Sequence, residues 1–568
     1  MGDDIVPVPG MFGPGSGAHY NLDILSSLPP PEPREEPETI KALRVELGLD
    51  RCKLRPYEHQ VIGIKALLDN PFFALFDEMG AGKSIQTLVA AQLLFLAGRI
   101  DNLIIIAPAS VRSVWYDPDL GEIRKHFFVP HFTVTEFHAK TKTWNSGTIP
   151  PKERRLEVVV SNFEFIGRSK PRLYQLLNAA GHRTMVVFDE SSAAKNYRAN
   201  QTKACFALRN RCGRVVLLNG TPISNNPLDM FTQGNLMHPS ILECKFITHY
   251  RGRYAVMAVH DRNYPKITGW KNLDDLQRRF APFVLRRLKK DCLDLPEKLP
   301  PVTLQVPMTE ESWAIYREMR DQLVVWLEGS SVSIAAHAIT KVMRLAQITS
   351  GFLGGLEEDV EPEAEASDAP SFIETTGLPF EAPKRGAYTG PVRAIGREKL
   401  DLFLERYAEW LETDPAFKLL VFGRFKPEVM RLFEEVAAKF PKVETGLLIG
   451  GQKESERQAT KRLLDPRTAP SGPALVAGTY GTGSKGHTFT AAHTIVNVSY
   501  DYSMEKFLQS GDRIHRPGQT HPCSFFDIEA VGPRGQKTID HHIILARRGK
   551  IDVADYTTGA WVRALREE

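Results

Sequence analysis

Short apolar runs rich in β-branched residues alternate with helical patterns along most of this chain. Those in the first half are Phe72–Phe76, Leu103–Ala107, Val158–Val160, Met185–Phe188 and Val215–Leu218; those in the second are Leu419–Phe422, Ala474–Ala477, Thr494–Val498 and Ser524–Ile528. Runs without internal polar alternation mark strands buried on both faces. Helical stretches such as Ser84–Leu96, Glu398–Trp410 and Pro427–Ala438 separate many of them, which predicts parallel sheets covered by helices on each side. The fold class is therefore α/β, in two lobes.

Polar segments punctuate this pattern. Residues 1–40 begin with a Gly- and Pro-rich acidic tail, and a second acidic stretch runs from Glu357 to Pro391. Neither holds enough apolar surface to offset the entropy of ordering it, so both are expected to be flexible, a spacer or a docking site for a protein partner. The expected order is a tail (1–40), a first lobe (41–300), a helical insertion with the acidic linker (301–395), a second lobe (396–535) and a C-terminal helix and tail (536–568). Residues 230–350 read as largely helical, with elements at Leu273–Phe280 and Glu310–Leu327.

Composition narrows the rest. The 568 residues are 42% hydrophobic and 25% charged, enough for large cores, and the formal net charge is only +4, so any basic surface must be local. Six scattered cysteines make no Cys-x-x-Cys pair, which argues against a zinc ribbon and suits a reducing cytoplasm. No run approaches the roughly 20 apolar residues a membrane span needs.

The chemistry is concentrated in a few places. After FFALF comes Asp77-Glu78-Met79-Gly80-Ala81-Gly82-Lys83-Ser84 and then an apolar helix. Strand, glycine loop and helix N-terminus together make a phosphate cradle, with Lys83 directed at phosphate oxygens and Ser84 at Mg²⁺. Asp77 stands where the strict pattern has glycine. Met185–Phe188 runs into Asp189-Glu190, a carboxylate pair at the end of a buried strand. That is a place to hold Mg²⁺ (Asp189) and to orient attacking water (Glu190). Arg513 and Arg516, three apart, would share a helical face and suit phosphoryl charge. Asp540-His541-His542 reads as a polar helix face rather than a metal site, and Arg286–Lys290 as a basic turn or a DNA contact.

These segments, in this order, resemble the Swi/Snf-type helicase-like ATPases of helicase superfamily two. The resembling stretches are LRPYEHQ (Leu54–Gln60), DEMGAGKS, IIIAPASVRSVW (Ile104–Trp115), VVFDESSAAKN (Val186–Asn196), LLNGTPISNN (Leu217–Asn226), FVLRRLKKD (Phe283–Asp291), KLLVFGRF (Lys418–Phe425), GQKESERQ, GTGSKGHTFTAA and QSGDRIHRPGQ. The lean architecture looks more like bacterial or phage members than eukaryotic ones, hence a bacterial or infected-host cytoplasm.

The resemblance implies two RecA-like lobes in tandem with ATP and Mg²⁺ between them. It assigns catalysis to Lys83, Asp189, Glu190, Arg513 and Arg516. Nucleotide contacts fall to Gln60, Met79, Gly80, Ala81, Gly82, Lys83, Ser84, Gly483 and Gln509, and metal contacts to Ser84 and Asp189. Coupling goes to Gly220, Thr221 and Pro222. Double-stranded or branched DNA would meet Ser110, Arg112, Ser161, Asn162, Lys195, Asn196, Arg424 and Phe425. The implied activity is a DNA translocase. A strand-separating DNA or RNA helicase, the motor subunit of a restriction or defence complex, and a non-hydrolysing ATP-dependent clamp are the competing readings.

Overall fold

The computed structural model describes residues 36–109, 111–119, 121–147, 153–220, 227–259, 265–329, 335–354, 392–483 and 488–549. The acidic stretch Glu357–Pro391, the first 35 residues, Ser110, Thr221 and Pro222 lie outside them. Where the expected tail is described it has already ended: Glu38–Leu47 is a helix whose Ile40, Leu43 and Leu47 pack on the first lobe.

The first half contributes β1 (Phe72–Leu75), β2 (Asn102–Ala107), β3 (Phe132–Glu136), β4 (Lys142–Asn145), β5 (Leu156–Asn162), β6 (Thr184–Phe188) and β7 (Arg214–Leu218). A hairpin follows, β8 (Ala255–Val259) with β9 (Pro265–Trp270), then β10 (Val284–Leu285), β11 (Val302–Pro307) and the short antiparallel pair β12 (Phe352–Leu353) and β13 (Arg393–Ala394). The second half contributes β14 (Lys418–Gly423), β15 (Glu444–Leu448), β16 (Ala474–Thr479), β17 (Thr494–Asn497) and β18 (Ser524–Val531).

Two large sheets result, in the orders β10-β1-β7-β6-β2-β5-β3-β4 and β11-β18-β17-β14-β16-β15. Every pairing in them is parallel except β3 with β4. Alternation along single strands shows why the runs are apolar throughout. Leu103 and Ile105 face one core, with the helices Glu58–Asp69 and Lys83–Leu96; Ile104 and Ile106 face the other, with Asn200–Arg209 and Asp229–Met237. Leu419 and Val421 likewise face away from Leu420 and Phe422 in the second lobe. Burial at this density, at about 25 cal/mol per Å² of apolar surface removed from water, is what holds each layer down. These are the two RecA-like lobes.

The middle of the chain is largely helical, with the expected elements at Leu273–Phe280 and Glu310–Gly329, but strands interrupt it. It holds the β8–β9 hairpin, and β11 is the edge strand of the second sheet, paired with β18 from Val302 opposite Phe526 to Pro307 opposite Val531. The helices Glu310–Gly329 and Ala335–Thr349 extend the second lobe rather than bridging two lobes. Trp313, Tyr316, Val342 and Leu345 pack in one cluster with Phe425, Tyr500 and Ile539. Ile539–Arg548 is the expected C-terminal helix. Its Asp540 is buried against Lys399 Nζ at 2.6 Å and Thr349 Oγ1 at 3.0 Å, not on a polar face. His541 meets Glu529 Oε1 at 2.8 Å.

Candidate nucleotide site

β1 delivers the chain into the glycine loop, and Gly82 caps the helix Lys83–Leu96 in the left-handed conformation. Gly80 has φ +83° and Gly82 φ +80°. The backbone angle at Gly82 demands glycine, and a Cβ there, 2.2 Å from Gln60 Nε2, would push the Gln60 amide aside. Lys83 turns its ammonium inward, donating to the carbonyls of Asp77 at 2.8 Å and Glu78 at 3.4 Å. Met79 and Ala81 are buried, and Ser84 is half-buried in the helix's first turn.

Gln60 lies under this loop. Its Oε1 accepts from Tyr57 N at 2.9 Å while Nε2 donates to the Ala81 carbonyl at 3.2 Å, so it braces the cradle. His59 Nε2 meets the same carbonyl at 2.8 Å. Gly220 touches the loop from another side, because a Cβ there would come within 2.3 Å of Met79 Cγ. That contact joins the end of the LLNG segment directly to the phosphate loop.

Asp77, in the position that breaks the strict glycine pattern, is fully buried and paired to Arg287 through bonds of 2.9 and 2.5 Å. Arg287 also reaches Gln86 Oε1 at 2.9 Å and the His59 carbonyl. It follows β10, which adds to the sheet beside β1, and Phe76 N and Glu78 N donate to Leu285 and Arg287 carbonyls at 2.8 and 2.9 Å. The basic run is therefore neither a plain solvated turn nor a uniform DNA contact. Arg287 and Lys289 point inward, whereas Arg286, Leu288 and Lys290 are exposed. Reading the run as a basic turn or a DNA contact did not separate these two residues from their neighbours, although their every-second-residue spacing was a usable signal.

The acidic box sits at the end of β6. Glu190 adopts φ +48°, uncommon for a residue with a Cβ, and its Oε2 is buried with no hydrogen-bond partner. Asp189 Oδ2 accepts the Trp115 indole N–H at 2.8 Å. Burial and the adjacent Glu190 push Asp189 up to about 7, against the pull of Trp115 and Lys83. A half-buried carboxylate pair carrying an unmet buried acceptor, near a lysine and a glycine loop, has the donor set that a divalent cation and a phosphate need. Asp189 and Ser84 would hold the metal, which would offset the charge of the phosphates.

The second lobe brings its arginines to the same place, but not on a helix. Met504–Gly511 ends first, and Arg513 and Arg516 occupy the turns that follow. Arg513 Nε donates to the Gln509 carbonyl at 2.9 Å. Arg516 Nε donates to the Asp512 carbonyl at 3.0 Å and its Nη1 to Thr488 Oγ1 at 2.8 Å. A Cβ on Gly80 would lie 3.3 Å from Arg516 Cβ, so this loop abuts the glycine cradle. Burial, with the neighbouring Arg516, pulls the Arg513 guanidinium down to about 9, opposed by Asp512 and Glu190. Gly483 packs on Phe422 inside the second lobe, with a Cβ position 2.8 Å from the ring.

Several expected DNA contacts are turned inward. Ser161 is buried and donates to the Phe137 carbonyl at 2.8 Å. Asn162 is buried between Arg112 Nη1, at 3.2 Å, and Glu164 Oε2, at 2.6 Å. Arg112 is paired with Glu136 at 2.7 Å. Phe425 belongs to the core, edge-on to Phe352, because the chain turns there into the helix Lys426–Lys439. Arg424 lies 4.0 Å over the Tyr502 ring. Lys195 and Asn196 are half-buried after the Ser191–Ala194 turn.

Comparison with known proteins agrees with this geometry. Residues 70–351 match the SNF2-related domain. The matched stretch takes in the glycine loop, the acidic box and the Phe283–Asp291 segment. The TATA-binding protein-associated factor mot1 of Aspergillus fumigatus is 24% identical over 89% of this chain and 27% of its own length. An uncharacterized ATP-dependent helicase of Mycoplasma genitalium is 23% identical over 89% of the chain and 42% of its own length. A Caenorhabditis elegans homolog of the SWI/SNF-related matrix-associated actin-dependent regulator of chromatin subfamily A-like protein 1 is 28% identical over 86% and 60%. The chain thus spans from about a quarter to three fifths of these relatives. The Sulfolobus solfataricus SWI2/SNF2 ATPase core in complex with dsDNA covers 91% of this chain at 18% identity and a TM-score of 0.37, so the fold assignment rests on the sheet orders above. Among the described residues no helix is long and apolar enough to cross a membrane.

Proposed function

We propose that this chain is an ATP-dependent DNA motor of the Snf2 type, hydrolysing ATP as it translocates on duplex or branched DNA. The observation that carries the reading is the meeting of Arg516 with the glycine loop at Gly80 and of Arg513 with the field of Glu190. Parts of one phosphoryl-transfer site come from two separate lobes, so hydrolysis requires the lobes to meet. In this reading Lys83 binds phosphate, Glu190 orients water, and the two arginines stabilise the charge that develops on the phosphoryl group. ATP and Mg²⁺ are the cofactors.

DNA contacts are expected mostly at phosphates, hence salt-sensitive and indifferent to sequence. Lys195, Asn196, Arg112 and Arg424 are the expected contacts that this structure leaves half-buried rather than enclosed. The relatives do not choose an origin, since fungal, nematode and Mycoplasma proteins match at 23 to 28% identity.

The test is steady-state ATP hydrolysis with no nucleic acid, duplex DNA, forked DNA, single strands and RNA, with Lys83→Ala as control. Strong stimulation by duplex or forked DNA that vanishes in the variant supports the motor. Stimulation by RNA alone removes the DNA assignment. Displacement of a third strand without opening of a plain duplex separates a translocase from a helicase.

A further inference from the structure

Lys289 is a lysine with nowhere to go but between the lobes. It is 3% exposed. Its backbone N–H donates to Glu78 Oε2 at 2.8 Å, and Glu78 N–H donates to the Arg287 carbonyl at 2.9 Å, so the segment is stitched to the glycine loop at its base. Its ammonium crosses to the second lobe. There it pairs with the Asp512 carboxylate and donates to the His515 carbonyl at 2.9 Å. Asp512 and His515 bracket the turn that carries Arg513 and end one residue before Arg516.

Gly80 records how closely these parts fit. A Cβ there would meet Arg516 Cβ and Lys289 Cε, each at 3.3 Å. The arginine and the lysine thus lie against the same glycine. The Asp512 carboxylate acts electrostatically on both cations. Lys289 pairs with Asp512 Oδ1, while the Arg516 guanidinium donates to the Asp512 backbone carbonyl and to Thr488 Oγ1.

We propose that Lys289 is a positioning residue: by occupying Asp512 it sets Arg516 against the phosphate loop when the lobes meet. This rests on the motor reading above. Lys289 touches no reacting atom in this role. Replacing it by a neutral side chain frees Asp512 to capture Arg516, and a displacement of about 1 Å at such a site can cost about a hundredfold in rate. Removing Asp512 alone leaves a buried ammonium beside Arg516, which displaces the guanidinium by repulsion.

The experiment measures DNA-stimulated ATP hydrolysis by full-length Lys289→Met, Asp512→Asn and the double variant. Each single variant is expected to lose on the order of a hundredfold in kcat, with KM for ATP within about threefold of wild type. The double variant, with neither charge left to misplace Arg516, is expected to be no slower than Lys289→Met. A wild-type kcat in the single variants, a loss confined to KM, or a double variant slower than Lys289→Met overturns the proposal. Amide hydrogen exchange on the nucleotide-free protein gives a readout independent of hydrolysis. Exchange over residues 510–519 should quicken in Lys289→Met while β16 stays protected. Should wild type hydrolyse no ATP with any nucleic acid, the motor reading is what fails; unchanged exchange over 510–519 overturns the positioning role of Lys289 itself.

Discussion

Trp115 donates its indole N–H to Asp189 Oδ2 at 2.8 Å, tying the helix Arg112–Tyr116 to the acidic box at the end of β6. Trp115 is almost fully buried, so its ring is fixed by packing and the bond by the ring. Outer partners that orient a metal-binding carboxylate commonly contribute 10- to 100-fold to metal affinity, roughly. Trp115→Phe keeps most of the packing and removes the donor. The Mg²⁺ concentration for half-maximal ATP hydrolysis should rise by about tenfold or more, with the circular dichroism spectrum unchanged. An unaltered Mg²⁺ requirement would show that Asp189 does not depend on this contact.

Asp77→Gly makes the loop conform to the strict glycine pattern and should nevertheless weaken the protein. It strands Arg287, which is mostly buried and paired to Asp77 through two bonds. Breaking one side of a buried ion pair typically costs about 3–5 kcal/mol. Denaturant titration should show a loss of that order for Asp77→Gly, and recovery of part of it in Asp77→Gly/Arg287→Met. Equal stability of wild type and Asp77→Gly would mean that the pair contributes nothing.

Gly82→Ala tests the cradle separately from the fold. An alanine at φ +80° costs about 1–2 kcal/mol in backbone strain, which a chain of this size tolerates, but its methyl also collides with Gln60 Nε2. Affinity for a fluorescent ATP analogue should fall by more than about tenfold while the melting temperature moves little. Undiminished binding would place the nucleotide elsewhere.

Glu428 should make stability depend on pH in the opposite sense to a salt-bridged acid. Its carboxyl is enclosed by Ser499, Ser350 and Lys399, and burial pushes it up to about 7, with Asp540 adding to the shift. Between its ordinary value of 4.5 and about 7 the folded state holds a proton that the unfolded state releases. Stability therefore falls as pH rises through that window and levels off above it. Glu428→Gln should flatten that part of the curve and melt higher than wild type at pH 8. A wild-type slope in the variant would exclude Glu428 as the source.

The amino-acid sequence by itself determined the lobes and most of the candidate nucleotide site. Strands such as Met185–Phe188 and Leu419–Phe422 were legible because burial on both sheet faces leaves no polar position in the run. The cradle was legible because positive φ at Gly80 and Gly82 and a lysine at a helix start are local demands. Tertiary structure decided everything that depends on which distant segments meet. β3, β11 and β15 were missed because partly exposed strands at or near sheet edges are only half apolar: β11 reads Val-Thr-Leu-Gln-Val-Pro and acquires its place by pairing with β18, more than two hundred residues later. Asp77 looked like a flaw in the motif until Arg287 was beside it. Ser161, Asn162 and Phe425 carried polar or aromatic identities that suit DNA contact, yet packing turned them inward. Most of all, the pairing of Lys289 with Asp512 exists only because segments of two lobes, more than two hundred residues apart, meet beside one loop. A charge's partner is set by distance in space, and neither composition nor spacing along the chain encodes that distance.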